Sequence, residues 1–430
     1  MKIRETTLEN GLRIITASLA DARSVTVNVV AGTGSRFEDY KKNGGVSHFL
    51  EHLLFKGSKK YPTAQAIAEA VDAVGGYSNA YTTEDVTCFY IKVPARHGAL
   101  ALDILSDMVK NPLFDPTEID RERGVIIEEM NVFRDDPSRY IGTLVPGLIF
   151  PDNPLGRDVI GSEEVINTIP QADIKAYMAK QYRPNNLVVA VAGAVDHEAV
   201  VKQVGAALGD LERGALAELV PVTNDPDHDL VATHAKPTAQ AHFMVASRGY
   251  AYEDADEPAA RLVAGILGRG MSSRLFMNVR ERQGLAYTVF AEVNPFVDTG
   301  LFEAYAGVNL DKIEQALDSV LHELAEIRET PVGDTELDKA KQQITAGLEM
   351  SLESNGSIAD RIGTQLVLLG EVKSVEQTIA EIEAVTPADV QRVARAMLAP
   401  ERLRFAIIAP EPEAAAKHFV NYVTKIKEKV

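Results

Sequence analysis

The sequence holds one cysteine, Cys88, in 430 residues. A single cysteine excludes an intrachain disulfide and a cysteine-ligated zinc site. It lies in an apolar strand pattern, which points to core. No run of about 18 apolar residues occurs, so no membrane-spanning helix is expected. The stretch Met1 to Leu8 lacks the apolar core of a signal peptide. Together with the lone cysteine, this favours the reducing cytoplasm. Positive charge is also scarce: 44 Lys and Arg stand against 62 Asp and Glu, a net charge of −18. That balance argues against nucleic acid as a partner. It describes an acidic solvated surface, or an acid-lined cavity that would favour basic or neutral peptides. What is present, 46% hydrophobic and 25% charged residues, suits a soluble globular protein. The length suits two to three domains.

The stretch with the most chemistry runs from Gly44 to Gly57. It holds His48 and His52, four residues apart, with Glu51 just before the second. On a helix, positions i and i+4 share one face, so two imidazoles can aim at one point. Val46, Phe49, Leu50, Leu53 and Leu54 would bury the rest of the helix. Glu51 sits close enough to act on a water held at that point. Two imidazoles and an adjacent carboxylate on a buried helix suit a catalytic zinc. The order H-x-x-E-H is the inverse of the commoner zinc-protease motif. A surface histidine pair, or a core pair with satisfied hydrogen bonds, is the plainer reading of the pentapeptide alone.

The chain around this stretch alternates strands and helices. Residues 7–17 read as strand, Asn-Gly turn, strand, and Ser24 to Ala31 as another strand. A helix from Thr63 to Val74 ends at Gly75-Gly76. Residues 77–93 are rich in aromatic and β-branched residues and read as one or two strands. A helix follows from about Gly98 to Val109. Asp115-Pro116-Thr117-Glu118 opens a further helix that runs through Met130. On it Glu122, Ile126 and Glu129 fall on one face. A solvated face with salt bridges is the bland account of those carboxylates. Leu187 to Gly193 is a continuous apolar run typical of a buried strand. From about Leu208 to Asp229 no periodicity is evident, which marks a linker between two halves.

The second half looks like a diverged copy of the first. Tyr90-Ile91-Lys92-Val93 recurs as Tyr305-Ala306-Gly307-Val308, and Ala101-Leu102-Asp103 as Ala316-Leu317-Asp318, both 215 residues on. Thr117-Glu118-Ile119-Asp120 recurs as Thr335-Glu336-Leu337-Asp338, 218 residues on. Order and near-constant spacing suggest duplication. The copy has Gly347 where Glu129 would recur, and no histidines around Gly265 to Gly268. Only the first half can build the metal site. The second carries Arg280 and Tyr287 at a helix-to-strand junction, residues able to hydrogen-bond a carbonyl or an oxyanion. An ordinary amphipathic helix end is the alternative there.

These residues together resemble the pitrilysin-type inverted-zincin metallopeptidases, a group that includes insulin-degrading enzyme, mitochondrial processing peptidase and smaller bacterial relatives. The resemblance covers nearly the whole chain. Leu8 to Leu12 looks like the family's opening strand, and His48-Phe49-Leu50-Glu51-His52 matches its zinc motif. Pro154 to Arg157 and Gly161 also fit. Arg121-Glu122 and Val125 to Glu129 look like the second zinc-site helix. The resemblance implies zinc, one ion per chain, on His48, His52 and Glu129, with Glu122 supporting the site. The neighbouring Glu128 makes that alignment ambiguous, and the face shared by Glu122 and Glu129 favours Glu129. It implies Glu51 as general base, Asn79, Ala80 and Tyr81 on an edge strand that pairs with substrate, and Arg280 and Tyr287 near the scissile bond, where Tyr287 could stabilise the oxyanion.

The fold so implied is α+β. Two homologous halves, 1–215 and 216–430, each hold a mainly antiparallel sheet with helices on one side. Larger relatives join four such units into a closed chamber. A two-unit chain would make its chamber as a homodimer, or as a heterodimer with a similar subunit. The implied activity is zinc-dependent hydrolysis of peptides or unfolded segments. The main rival is a non-catalytic assembly or binding subunit on the same fold, which degenerate ligands would mark. A purely structural zinc would need a fourth protein ligand near the motif, and none is evident.

Overall fold

The computed structural model describes residues 1–223 and 229–427. These form two compact units. The first comprises Met1–Asn131, Arg157–Val220 and Met350–Lys373. The second comprises Val132–Gly156, Pro221–Glu349 and Ser374–Val430. Each unit therefore draws one segment from the far side of the 215/216 boundary. Part of the stretch read as a linker, residues 224–228, lies outside the described residues. Among the described residues no helix is long and apolar enough to cross a membrane.

The first unit is built on a six-stranded sheet. Its strands are β1 (Lys2–Thr7), β2 (Arg13–Ser18), β3 (Ser24–Ala31), β4 (Tyr77–Thr82), β5 (Thr87–Pro94) and β6 (Leu187–Gly193), in the order β1-β2-β6-β3-β5-β4. The β2–β6 pair is parallel and the others are antiparallel. The residue 77–93 stretch thus makes two strands, and the second of them lies inside the sheet. β4 is an edge: it pairs with β5 on one side. The apolar run of β6 is buried along its whole length, as its composition required.

The second unit carries β7 (Val231–Ala235), β8 (Gln240–Gly249), β9 (Ala286–Pro295), β10 (Gly300–Asn309) and β11 (Arg404–Ala409), ordered β7-β11-β8-β10-β9. Its β7–β11 pair is parallel and the rest antiparallel. The pattern repeats β2-β6-β3-β5-β4 strand for strand and sense for sense. The sequence echoes fall where this repeat puts them: Tyr90 and Tyr305 lie on β5 and β10, each next to its edge strand.

Helices cover both faces of each sheet, not one as expected from the family's pattern. On one face of the first sheet, Ile14, Val27, Val29, Phe89, Ile91 and Val189 pack with Phe49, Leu50, Leu53 and Ile126 from helices. On the other face, Ile15, Ala17, Val30, Cys88, Val188 and Ala190 pack with Ile358, Ala359, Ile362 and Leu366. Those last four lie on the helix Asn355–Leu369, from the segment the second half contributes. The second sheet is covered in the same way by Ile141, Val145, Leu148 and Ile149 of the helix Pro137–Ile149, against Met244, Leu301 and Ile408. The physical reason lies in the strands. Alternate side chains point to opposite faces, and here both sets are apolar, so both faces need cover. Cys88 is fully buried, as its surroundings suggested.

Candidate metal centre

The histidine helix spans Val46–Leu54. Six of its nine residues are buried, which leaves His48, Glu51 and His52 on the remaining face. Gly45 precedes it with φ +90°. A Cβ there would meet the Ile160 carbonyl oxygen at 2.4 Å, and one on Gly161 would meet the Gly44 carbonyl oxygen at 2.3 Å. The two glycines therefore allow the loop at 160–161 to lie against the helix start. A glycine offers no side-chain cap, and Glu38 serves instead. Its two carboxylate oxygens accept from the Gly45 N–H at 2.6 Å and the Ser47 N–H at 2.8 Å. Burial pushes the Glu38 carboxyl up to about 8, and those two bonds oppose the shift.

The glutamate helix spans Pro116–Asp135, five residues beyond the expected end at Met130. It buries Ile119, Glu122, Ile126 and Met130, so Glu129 rides at the edge of the buried stripe. Glu129 is half-buried while Glu128 is exposed.

One ligand atom each from His48, His52 and Glu129 lie within 4.8 Å of one another. Glu129 Oε2 is 3.7 Å from His48 Nε2 and 3.5 Å from His52 Nε2. Four-coordinate zinc with bonds of about 2.0–2.1 Å spaces its ligand atoms roughly 3.4 Å apart. The donor set thus fits zinc in identity, and the two distances from Glu129 lie near tetrahedral spacing. Were these three to hold an ion, a fourth position would stay open, as catalytic sites require.

Electrostatics sets the two histidines apart. Burial and the neighbouring His52 hold His48 near pKa 4, so its imidazole is neutral, as ligation demands. His52 is pushed up to about 9: burial opposes the shift, but Glu122 and Glu129 outweigh it. Without a metal the two carboxylates hold a proton on His52. Glu122 Oε2 lies 3.0 Å from His52 Nδ1, and Lys56 Nζ lies 2.7 Å from Glu122 Oε1. Burial works to raise the Glu122 carboxyl, but His52 and Lys56 more than offset it and hold it below the usual range. Glu129 is lowered by its hydrogen bond with His52, against its burial. Glu51 is raised by burial, with Thr82 and His52 opposing. Thr82 Oγ1 donates to Glu51 Oε2 at 2.6 Å.

The residues that the family resemblance puts near substrate fall in two places. Asn79, Ala80 and Tyr81 lie on β4, the open edge. The Ala80 N–H donates to the Asn79 side chain at 2.9 Å, so it is turned away from β5. The Tyr81 hydroxyl is engaged by Asp360 of the helix Asn355–Leu369. In the second unit, Arg280 sits on a seven-residue π-helix, Phe276–Arg282. Its guanidinium lies over the rings of Phe276, at 4.7 Å, and Tyr287, at 5.4 Å. Tyr287 is 73% exposed on the edge strand β9. Thr288 pairs with Gly307 and Ala286 with Val308, which leaves Tyr287 as the extra residue of a β-bulge. Bulges re-aim a side chain, and π-turns gather at functional sites. The cluster and the Arg–Tyr pair lie in different compact units.

Three residues of the site escape sequence reading. Lys56 follows His52 by four residues, and that spacing could have flagged it. Thr82 continues the alternation of Ser78 and Ala80 along β4. Nothing local marks Glu38, which reaches the helix start through the tertiary fold.

Residues 13–163 match the family model described as insulinase, peptidase family M16, and residues 168–344 match the peptidase M16 inactive domain. A protein of Streptomyces coelicolor named as an uncharacterized zinc protease is 39% identical, over 98% of this chain and 92% of its own length. The uncharacterized zinc protease YmxG of Bacillus subtilis is 34% identical, over 95% of this chain and 98% of its own. The crystal structure of a protease from Helicobacter pylori superposes with a TM-score of 0.89 at 24% identity, over 95% of this chain and 99% of that one, which shows a shared fold. The chain belongs to peptidase family M16, the insulinase or pitrilysin-type family.

Proposed function

We propose that this chain is a zinc-dependent endopeptidase that cuts peptides or unfolded segments. The observation that carries the reading is the convergence of His48, His52 and Glu129 on one point, with Glu51 beside them. When bound, zinc supplies Lewis acidity: it polarises a carbonyl and acidifies water at an open position. His48, His52 and Glu129 hold the ion, one per chain. Glu122 orients His52 and keeps its Nδ1 protonated. Glu51 takes the proton of the attacking water and returns it to the leaving amine as the peptide C–N bond breaks. Asn79, Ala80 and Tyr81 bind substrate as an added strand along β4, so main-chain bonds supply affinity and sequence tolerance is broad. Arg280 holds the substrate near the scissile bond, and Tyr287 donates to the developing oxyanion.

Residues 1–215 form the zinc-bearing catalytic half and residues 216–430 the half with the Arg–Tyr pair. Two units complete a chamber by pairing with a second copy, or with a similar subunit. The working location is the cytoplasm. The relatives named as zinc proteases support the metal and the reaction class. A non-catalytic binding subunit would not need three converging ligands and an adjacent base. Chelator-sensitive, zinc-restored cleavage of unstructured peptides tests the proposal, and size measurement of the purified chain tests the pairing.

A further inference from the structure

Thr82 ends β4, the open edge of the first sheet. Its hydroxyl donates to Glu51 Oε2 at 2.6 Å, so the strand reaches across to the histidine helix at one carboxylate. The donor is stiff for two reasons. Threonine is β-branched and its χ1 is restricted. The turn beyond it is also pinned. The Thr83 N–H donates to the Val86 carbonyl at 2.8 Å, and the Thr83 side chain accepts from the Val86 N–H at 3.1 Å. Arg36 pairs with Asp85 in that turn at 3.0 Å, with both side chains buried. Thr87, opposite Thr82 in register, donates to the Thr33 carbonyl at 2.9 Å. Glu51, by contrast, is a long side chain whose terminal torsion is broad and soft. Held at one oxygen, it keeps the other oxygen free.

We propose that Thr82 is a positioning residue that fixes the Glu51 carboxylate in register with the strand to which substrate adds. This rests on the reading of Glu51 as general base and of β4 as the substrate edge. One strand then sets both where the peptide lies and where the base points. A threonine without its hydroxyl leaves peptide binding intact and loosens the base.

The test uses full-length, zinc-loaded protein and an internally quenched unstructured peptide. Thr82→Val removes the hydroxyl at nearly constant shape, and Thr82→Ser keeps it. Thr82→Val should lower kcat roughly ten- to 150-fold, the scale of one lost hydrogen bond to a charged group, with KM within about twofold. Thr82→Ser should restore kcat to within about threefold of wild type. Crystal structures of the zinc-loaded proteins should show Glu51 in one orientation in wild type and Thr82→Ser, and displaced in Thr82→Val. Wild-type kcat in Thr82→Val, with Glu51 unmoved, overturns the inference. Equal losses in both variants also overturn it, because the hydroxyl would then not be the operative group. A wild-type protein that cuts nothing strikes at the peptidase reading instead, and the Glu51 orientation in the two variants still decides the contact.

Discussion

Glu122 Oε2 lies 3.0 Å from His52 Nδ1, and Glu122 is only 2% exposed. An ionised carboxylate only accepts, so the shared proton sits on Nδ1. With Nδ1 kept protonated in this way, it is Nε2, 3.5 Å from Glu129 Oε2, that must give up its proton for the ring to act as a ligand. Lys56 on the second Glu122 oxygen keeps the carboxylate charged inside the protein. The relay from Lys56 through Glu122 to His52 has the form of the outer support that metal-bound histidines characteristically have, which is the role proposed for it.

Weakening that relay should lower zinc affinity without removing the site. Glu122→Gln is expected to weaken zinc binding about 10- to 100-fold, and Lys56→Met less. Competition with a chromophoric chelator measures both. Unchanged zinc affinity in Glu122→Gln would show that the carboxylate does not support His52.

The two neighbouring glutamates should separate cleanly. Glu129→Ala is expected to abolish stoichiometric zinc, and Glu128→Ala to leave it, because Glu128 is exposed and Glu129 faces the two histidines. Metal analysis after dialysis reads the difference. Zinc lost from Glu128→Ala instead would reassign the ligand.

Glu51→Gln should keep zinc at one per chain and lose turnover by about 10²- to 10⁴-fold, the usual range for general base catalysis. Turnover above roughly a tenth of wild type would remove Glu51 from the base role.

The two histidines give the metal-free protein opposite pH responses. The folded pKa of His52 is raised from 6.5 to about 9. Its contribution to stability is complete below about 6.5 and is lost as pH rises through about 9. The folded pKa of His48 is lowered from 6.5 to about 4. Its contribution is present above about 6.5 and is lost as pH falls through about 4. Zinc requires both rings neutral at Nε2, so loading at pH about 7.5 should expel about one proton per ion, from His52. Calorimetry in buffers of different ionisation enthalpy counts that proton. A count near zero would mean that His52 is already neutral.

The parts of the site that one helix carries were legible from spacing alone. His48 and His52 share a face at any helical i, i+4 pair, and Glu129 shares one with Glu122 at i, i+7. Periodicity therefore put each pair on one helix face, and only the family resemblance joined Glu129 to the two histidines. The contacts that cross the fold were not legible. Glu38 caps a helix seven residues on by way of a loop, and Thr82 meets Glu51 only because β4 lies beside the histidine helix. Edge position depends on strand order, and no property of the Tyr77 to Thr82 stretch encodes it. The second-face helices were missed for the same reason. Ile358 and Ile362 seal a sheet whose other residues lie more than 150 positions earlier, and local patterning gives an apolar helix face no address.

The most direct test of the central claim is cleavage of a pool of unstructured peptides of about 10 to 40 residues by the purified chain, read by mass spectrometry. The pool is run untreated, after chelation, and after zinc is restored. Cleavage that stops on chelation and returns with zinc is the result expected of a site built from His48, His52, Glu129 and Glu51. No cleavage from a chain that holds one zinc would contradict it, and would turn the site toward binding or toward a partner subunit.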